Sequence, residues 1–217
     1  MIRLSHYQVT NLIAGIIGVE ALVVMAGWIF GIDQLTHIAP IGGNMQFITA
    51  FLFLLSALGL FCISRVIQYE GEVARLLLPG IFLTIFLVTV TLLVGRMLGT
   101  PTGIEDLFLE RLSPVYPLGS LQTAGWPSFP AMLNFILFGL AGIASLFPRS
   151  FRDRLFKYLG TIILSFGLIA LIGYACNIPV LYYEWNVSAA PMALNCAVSF
   201  FLLGFGLMRI SRPEKSQ

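Results

Sequence analysis

Six apolar stretches, each about 20 residues long and almost free of charge, dominate the chain, at residues 9–30, 45–64, 76–98, 129–147, 158–176 and 189–208. A helix crossing the roughly 30 Å hydrocarbon layer needs about 20 apolar residues, because every backbone amide must find its partner inside the segment. A membrane barrel would show alternating segments of about ten residues, whereas residues 81–94 are apolar without alternation. The stretches therefore predict an all-α polytopic membrane protein with six transmembrane helices. Composition agrees: 58% of the 217 residues are hydrophobic and only 10% charged, against roughly a quarter charged in soluble domains. A net charge of +2 leaves no basic face for nucleic acid. Cys62, Cys176 and Cys196 form no CxxC pair and no disulfide framework.

Six crossings place both termini on one side. That side carries Arg3, Arg65, Arg75, Arg149, Arg152, Arg154, Lys157, Arg209, Arg212 and Lys215, whereas Arg96 and Arg111 lie opposite. Short cytoplasmic loops hold the excess of Lys and Arg, so both termini are expected in the cytoplasm and the chain in a bacterial inner membrane. The first stretch lacks a small-x-small cleavage site and reads as a retained helix. The connections 65–75 and 148–157 are short and charged, which makes the helices on either side antiparallel neighbours. Residues 99–128 form a longer, Gly- and Pro-rich outer loop, in which Ile104, Leu107, Phe108 and Leu112 recur at helical spacing beside Glu105, Asp106, Glu110 and Arg111. That pattern predicts a short helix on the outer membrane surface. Tyr116, Trp126, Tyr182, Tyr183 and Trp185 read as an interfacial aromatic belt or, alternatively, as a ligand cage.

The ends of the three outgoing helices match one another: Ala26-Gly27-Trp28-Ile29-Phe30-Gly31-Ile32, Val94-Gly95-Arg96-Met97-Leu98-Gly99-Thr100 and Ile172-Gly173-Tyr174-Ala175-Cys176-Asn177-Ile178. The returning helices match as well, at Phe53-Leu54-Leu55-Ser56-Ala57-Leu58, Phe135-Ile136-Leu137-Phe138-Gly139-Leu140 and Phe200-Phe201-Leu202-Leu203-Gly204-Phe205. From Gly27 to Ala57 is 30 positions and from Gly173 to Gly204 is 31, while the long loop stretches Gly95 to Gly139 to 44. Gly or Asn after a last helical turn accepts the left-handed conformation that stops a helix, and small residues let backbones approach. The expectation is one domain of three repeated helical hairpins, about 9–64, 76–147 and 158–208, packed around a pseudo-threefold centre.

The segments Gly27-Trp28-Ile29-Phe30-Gly31-Ile32-Asp33-Gln34-Leu35, Met132-Leu133-Asn134-Phe135-Ile136-Leu137-Phe138-Gly139-Leu140 and Pro191-Met192-Ala193-Leu194-Asn195-Cys196-Ala197 resemble the amino-terminal membrane module of many bacterial signalling proteins. There the module precedes PAS, histidine-kinase or diguanylate-cyclase domains. The resemblance extends to the exit Arg209-Ile210-Ser211-Arg212-Pro213-Glu214-Lys215, and departs from the family at Ile48 and Pro130, where Asn is usual. It implies a sensory input region without catalytic activity, working with a kinase or cyclase output domain in cis or in trans; the 217 residues contain no such domain, so either the chain is a fragment or the module acts alone or through a separate partner. A homo-oligomer is compatible with that role.

The candidate ligand-binding or coupling residues are Glu20, Trp28, Arg96, Asn134, Tyr174 and Asn195. Glu20 lies near the centre of the first helix, where a carboxylate costs roughly 2–3 kcal/mol on insertion scales and needs a partner. It reads as helix glue or as a binding, proton-sensing or transport group, with Ala14 and Gly18 providing a close helix contact nearby. Asn134 and Asn195 are expected to point inward and hydrogen-bond between helices, or to touch a ligand. Arg96 can snorkel to headgroups, hold an anion, or pair with Glu105 or Asp106; its matched residues Trp28 and Tyr174 are typical of interfaces. No Walker loop, GxSxG elbow or HExxH helix is present, and His6 and His37 fall on opposite sides, so no catalytic residue, metal site or cofactor is predicted. A small proton or solute transporter, and a membrane scaffold subunit, are the competing functions.

Overall fold

Long runs of Leu, Ile, Val and Phe cannot leave their amides unpaired in an apolar surrounding, and they coil. The computed structural model describes residues 6–37, 43–69, 71–100, 102–104, 125–182 and 191–211. Among them all regular structure is helical: α1 His6–Phe30, α2 Phe47–Tyr69, α3 Glu72–Leu98, α4 Phe129–Ala144, α5 Arg149–Ala175 and α6 Leu194–Ile210. Short 3-10 turns, Asp33–Leu35 and Pro179–Leu181, follow α1 and α5. The outgoing helices stop where expected. Gly31, Gly99 and Asn177 all take positive φ, at 69°, 65° and 53°, and Asn177 is the non-glycine residue type best able to do so.

The helices form a closed ring, each packing on its neighbour in chain order and α6 returning to α1. α2 also touches α4 and α6 across the middle, so the returning helices lie innermost. Burial shows the same: 67% of the α2 span is buried against 28% for α3 and α5. The outward faces are apolar, with Leu12, Ile16, Val19 and Leu22 of α1 and Leu76, Leu83, Leu87 and Val94 of α3 all exposed. Exposed apolar faces of this kind are compatible with a membrane setting.

Helix lengths depart from six equal spans. α1, α2, α3 and α5 are long and apolar enough to cross a bilayer, whereas α4 and α6 have 16 and 17 residues, about 24–26 Å at 1.5 Å per residue. α4 ends at Ala144 rather than near 147, and α6 starts at Leu194 because 191–193 are nonhelical. Met192 and Ala193 are buried there, and nonhelical backbone is tolerated at depth when protein surrounds it. The charged connections are mostly helix instead of loop. α2 runs on to Tyr69, α3 starts at Glu72 and α5 at Arg149, since Arg, Lys and Glu are good helix formers. Arg149 and Asp153 pair at 3.8 Å across one of these turns.

Call the end where α1, α3 and α5 stop distal, and the other proximal. Of the described basic residues, Arg65, Arg75, Arg149, Arg152, Arg154, Lys157 and Arg209 are proximal and Arg96 alone is distal. The predicted surface helix over 104–112 lies outside the described residues beyond Ile104, as do Glu105, Asp106, Glu110, Arg111, Tyr116, Tyr183 and Trp185.

Candidate functional site

The centre of the ring is aromatic. Phe53 of α2, Phe135 of α4 and Phe200 of α6 are fully buried and meet in a triangle with ring centroids 4.6–4.9 Å apart. The tilts of 54–65° bring ring edges toward ring faces, the arrangement the aromatic quadrupole favours.

Counting back eight residues from each of these rings gives Met45, Pro127 and Met192. Each offers its carbonyl to the side chain that follows the distal glycine of its own hairpin. Trp28 Nε1 donates to Met45 O at 2.8 Å, Arg96 donates to Pro127 O at 2.8 Å, and the Tyr174 hydroxyl donates to Met192 O at 2.6 Å. The glycines themselves accept a backbone bond five residues on, Ile32 N to Gly27 O, Thr100 N to Gly95 O and Ile178 N to Gly173 O. Space explains their identity. A Cβ on Gly27, Gly95 or Gly173 would lie 2.9, 2.6 or 2.7 Å from Leu35, Thr102 or Leu181, so the chain folds back over a residue that has to be glycine.

These contacts revise the reading of Trp28 and Tyr174 as interface residues. Trp28 is 1% exposed, and Tyr174 stacks on buried Tyr182 with centroids 4.0 Å apart and planes 14° from parallel. Both clamp the turn of their hairpin to the chain entering the returning helix. Tyr182 leaves the predicted belt for the same reason. Arg96 performs the equivalent clamp instead of serving only the membrane surface. Tyr174→Phe keeps the ring stack and removes the hydroxyl, and is expected to lower stability by about 1 kcal/mol, read as a small drop in Tm of the detergent-solubilised protein.

Glu20 is half-buried on α1 and faces the last helix, where Ser199 donates its hydroxyl to Glu20 Oε2 at 2.6 Å. The other carboxyl oxygen, Oε1, is buried with no hydrogen-bond partner among the described residues. Nearer the proximal end, Thr10 of α1 reaches Gly206 O of α6 at 3.5 Å. Ala14 and Gly18 mark close approach, to the interior and to Ala57 respectively, where a Cβ on Gly18 would lie 3.6 Å away. Polar contact thus runs down the seam that closes the ring between the first and last helices.

Asn134 and Asn195 both point inward, 0% and 2% exposed. Asn195 has partners. Asn134 departs from the expected interhelical bond, because neither its Oδ1 nor its Nδ2 has a partner among the described residues. Asn134 and Ser199 each precede a ring of the aromatic triangle, so the Glu20 partner stands at the position on α6 that Asn134 holds on α4. Sequence reading singled out Asn134 and passed over Ser199. A polar residue one before the matched phenylalanine was the available signal.

The remaining titratable groups are dispersed. Cys62, Cys176 and Cys196 are free thiols, and no group of three His, Cys, Asp or Glu is placed to hold a metal among the described residues. His37 Nδ1 is buried without a partner there, and the His6 side chain lies outside the described set. The six helices and their seam define a helical bundle in which four helices are apolar and long enough to cross a membrane. Comparison with protein-family models, curated proteins and solved structures finds no match for the chain.

Proposed function

We propose that this chain is a sensory input module of the bacterial inner membrane, built from three copies of one helical hairpin, with both termini in the cytoplasm. It would pass a stimulus to a kinase or cyclase output domain in cis or in trans. The observation that carries this reading is the Glu20–Ser199 bond at 2.6 Å across the seam of α1 and α6. Glu20 has one carboxyl oxygen satisfied and one buried without a partner, an arrangement whose free energy changes when its surroundings do. A stimulus that binds one packing of the seam better than another shifts the population of the two. α6 is the helix that leads to the carboxyl end, so a shift at its middle reaches the proximal side directly. The register of Gly27, Gly95 and Gly173 with their clamps, and the alignment of Phe53, Phe135 and Phe200, support the repeat. The packed rings of the triangle leave no open course along the axis, which argues against a solute path there.

The test is a fusion of the full chain, through Gln217, to a histidine kinase or diguanylate cyclase. Ser199→Ala and Glu20→Gln are expected to change basal output by about fivefold or more. Leu22→Ala, on the exposed face of α1, leaves it unchanged. Equal output from all four inserted proteins refutes the reading.

A further inference from the structure

Directly distal to the aromatic triangle, the three inner helices begin together around a cavity of about 20 Å³. Its lining is in register. Thr49, Ala131 and Cys196 are the third residues of α2, α4 and α6, and each stands four positions before its ring of the triangle. The first amides of an α-helix have no partner within it, and each helix start carries roughly half a positive charge. Three such starts converge here.

Ser128 supplies an independent sign of an occupant. It is the residue before α4, the position at which a serine hydroxyl normally bonds the second or third helical amide, yet it makes no such cap. The residue is 6% exposed and lines the cavity, and its Oγ is buried with no hydrogen-bond partner among the described residues. An unmet buried hydroxyl costs about 1–3 kcal/mol, which a bound partner recovers. Ala193, the residue before α6, has no side chain to cap that helix either.

Three charged groups bear on the space. Arg96 holds the wall through Pro127 O. Asp33 stands behind the rim, its Oδ1 taken by Asn44 Nδ2 at 2.6 Å and by Thr36 Oγ1 at 3.4 Å. Glu20 lies near Cys196, with its Oε2 held by Ser199 and its Oε1 without a partner among the described residues. Arg96 and the three helix starts together present roughly two and a half positive charges, against which the two carboxylates set at most about two negative ones, so the balance at the space stays on the positive side.

We propose that the cavity binds a single monatomic anion, of the size and charge of chloride, held by the amides of Thr49 and Ala131 and the hydroxyl of Ser128. Size sets the class. About 20 Å³ is room for one water-sized particle, so the smallest anions fit it best. The site lies toward the end of the molecule that carries few basic residues, and it stands or falls independently of the sensory reading.

The test is thermal unfolding of the full chain in detergent, titrated with sodium chloride against sodium gluconate at constant ionic strength. Wild type is expected to show a saturable rise of Tm with chloride, and Ser128→Ala to need about tenfold more chloride for half the effect. Identical curves in the two salts, or an unchanged half-saturation point in Ser128→Ala, overturn the proposal. If that variant does not fold, crystals of the wild type grown in bromide decide: anomalous density on the axis beside Ser128 Oγ supports the site, and water there or bromide elsewhere refutes it.

Discussion

Replacing Gly204 with valine will force α5 and α6 apart and lower the stability of the bundle by about 3 kcal/mol or more, at the top of the range for overpacked interiors. The reason is the nature of the neighbours. A Cβ at Gly204 would meet the backbone nitrogen of Leu164 and lie 2.6 Å from the carbonyl oxygen of Gly160. Gly160 in turn has Gly204 O only 2.9 Å from its own Cβ position, and at Gly167 the nearest atoms are Phe201 N at 2.6 Å and Ala197 O at 2.7 Å. A side chain can rotate out of the way, but the backbone of a packed helix cannot. The two helices touch along three glycines, the close approach that small residues allow in apolar surroundings. Gly15→Val is the control, because nothing lies within 4 Å of that Cβ position; it carries only the helix-propensity difference. Denaturant unfolding in mixed micelles reads both, and a Gly204→Val protein as stable as Gly15→Val would mean that α5 and α6 do not pack as described.

Much of this was readable from residue order alone, and the remainder was lost for identifiable physical reasons. The stops at Gly31, Gly99 and Asn177 are local events fixed by one backbone conformation, so they appear in the sequence. The inward direction of Asn134 and Asn195 follows from the cost of an amide in lipid, which no alternative lowers. Trp28 and Tyr174 read as interface residues in the sequence because an aromatic ring with one polar tip suits an interface and a buried clamp equally well. Only the position of the accepting carbonyl, 17 and 18 residues away, separates the two. Ser199 escaped notice because a serine in an apolar helix usually bonds its own backbone, as Ser56 does to Leu52 O at 2.8 Å. Hydropathy places the charged helix ends in loops because it reports only where an apolar run ends, and α5 carries nine residues before Tyr158.

The aromatic triangle yields the other large effect. Phe135→Ala is expected to cost about 3 kcal/mol, the lower end of the range for an aromatic truncated in a core. In a bilayer the unfolded reference keeps its side chains in apolar surroundings, so the hydrophobic transfer part is small; what is lost is packing against the two facing rings. Those lie 4.8 and 4.9 Å away, at Phe53 and Phe200. Because each ring of the triangle contacts the other two, Phe53→Ala and Phe200→Ala should cost about the same as Phe135→Ala. The pairwise double mutants should fall short of additivity by about 0.5–3 kcal/mol, since the first truncation already removes half of the second ring's aromatic contacts. Phe30→Ala, at a site 73% exposed, sets the baseline near zero. Unfolding in mixed micelles with helical circular dichroism as the signal measures all of these on one scale. Three unequal single costs with additive doubles would mean that the rings act separately, and that the axis on which the pseudo-threefold reading and the anion site both depend is not the centre of the fold.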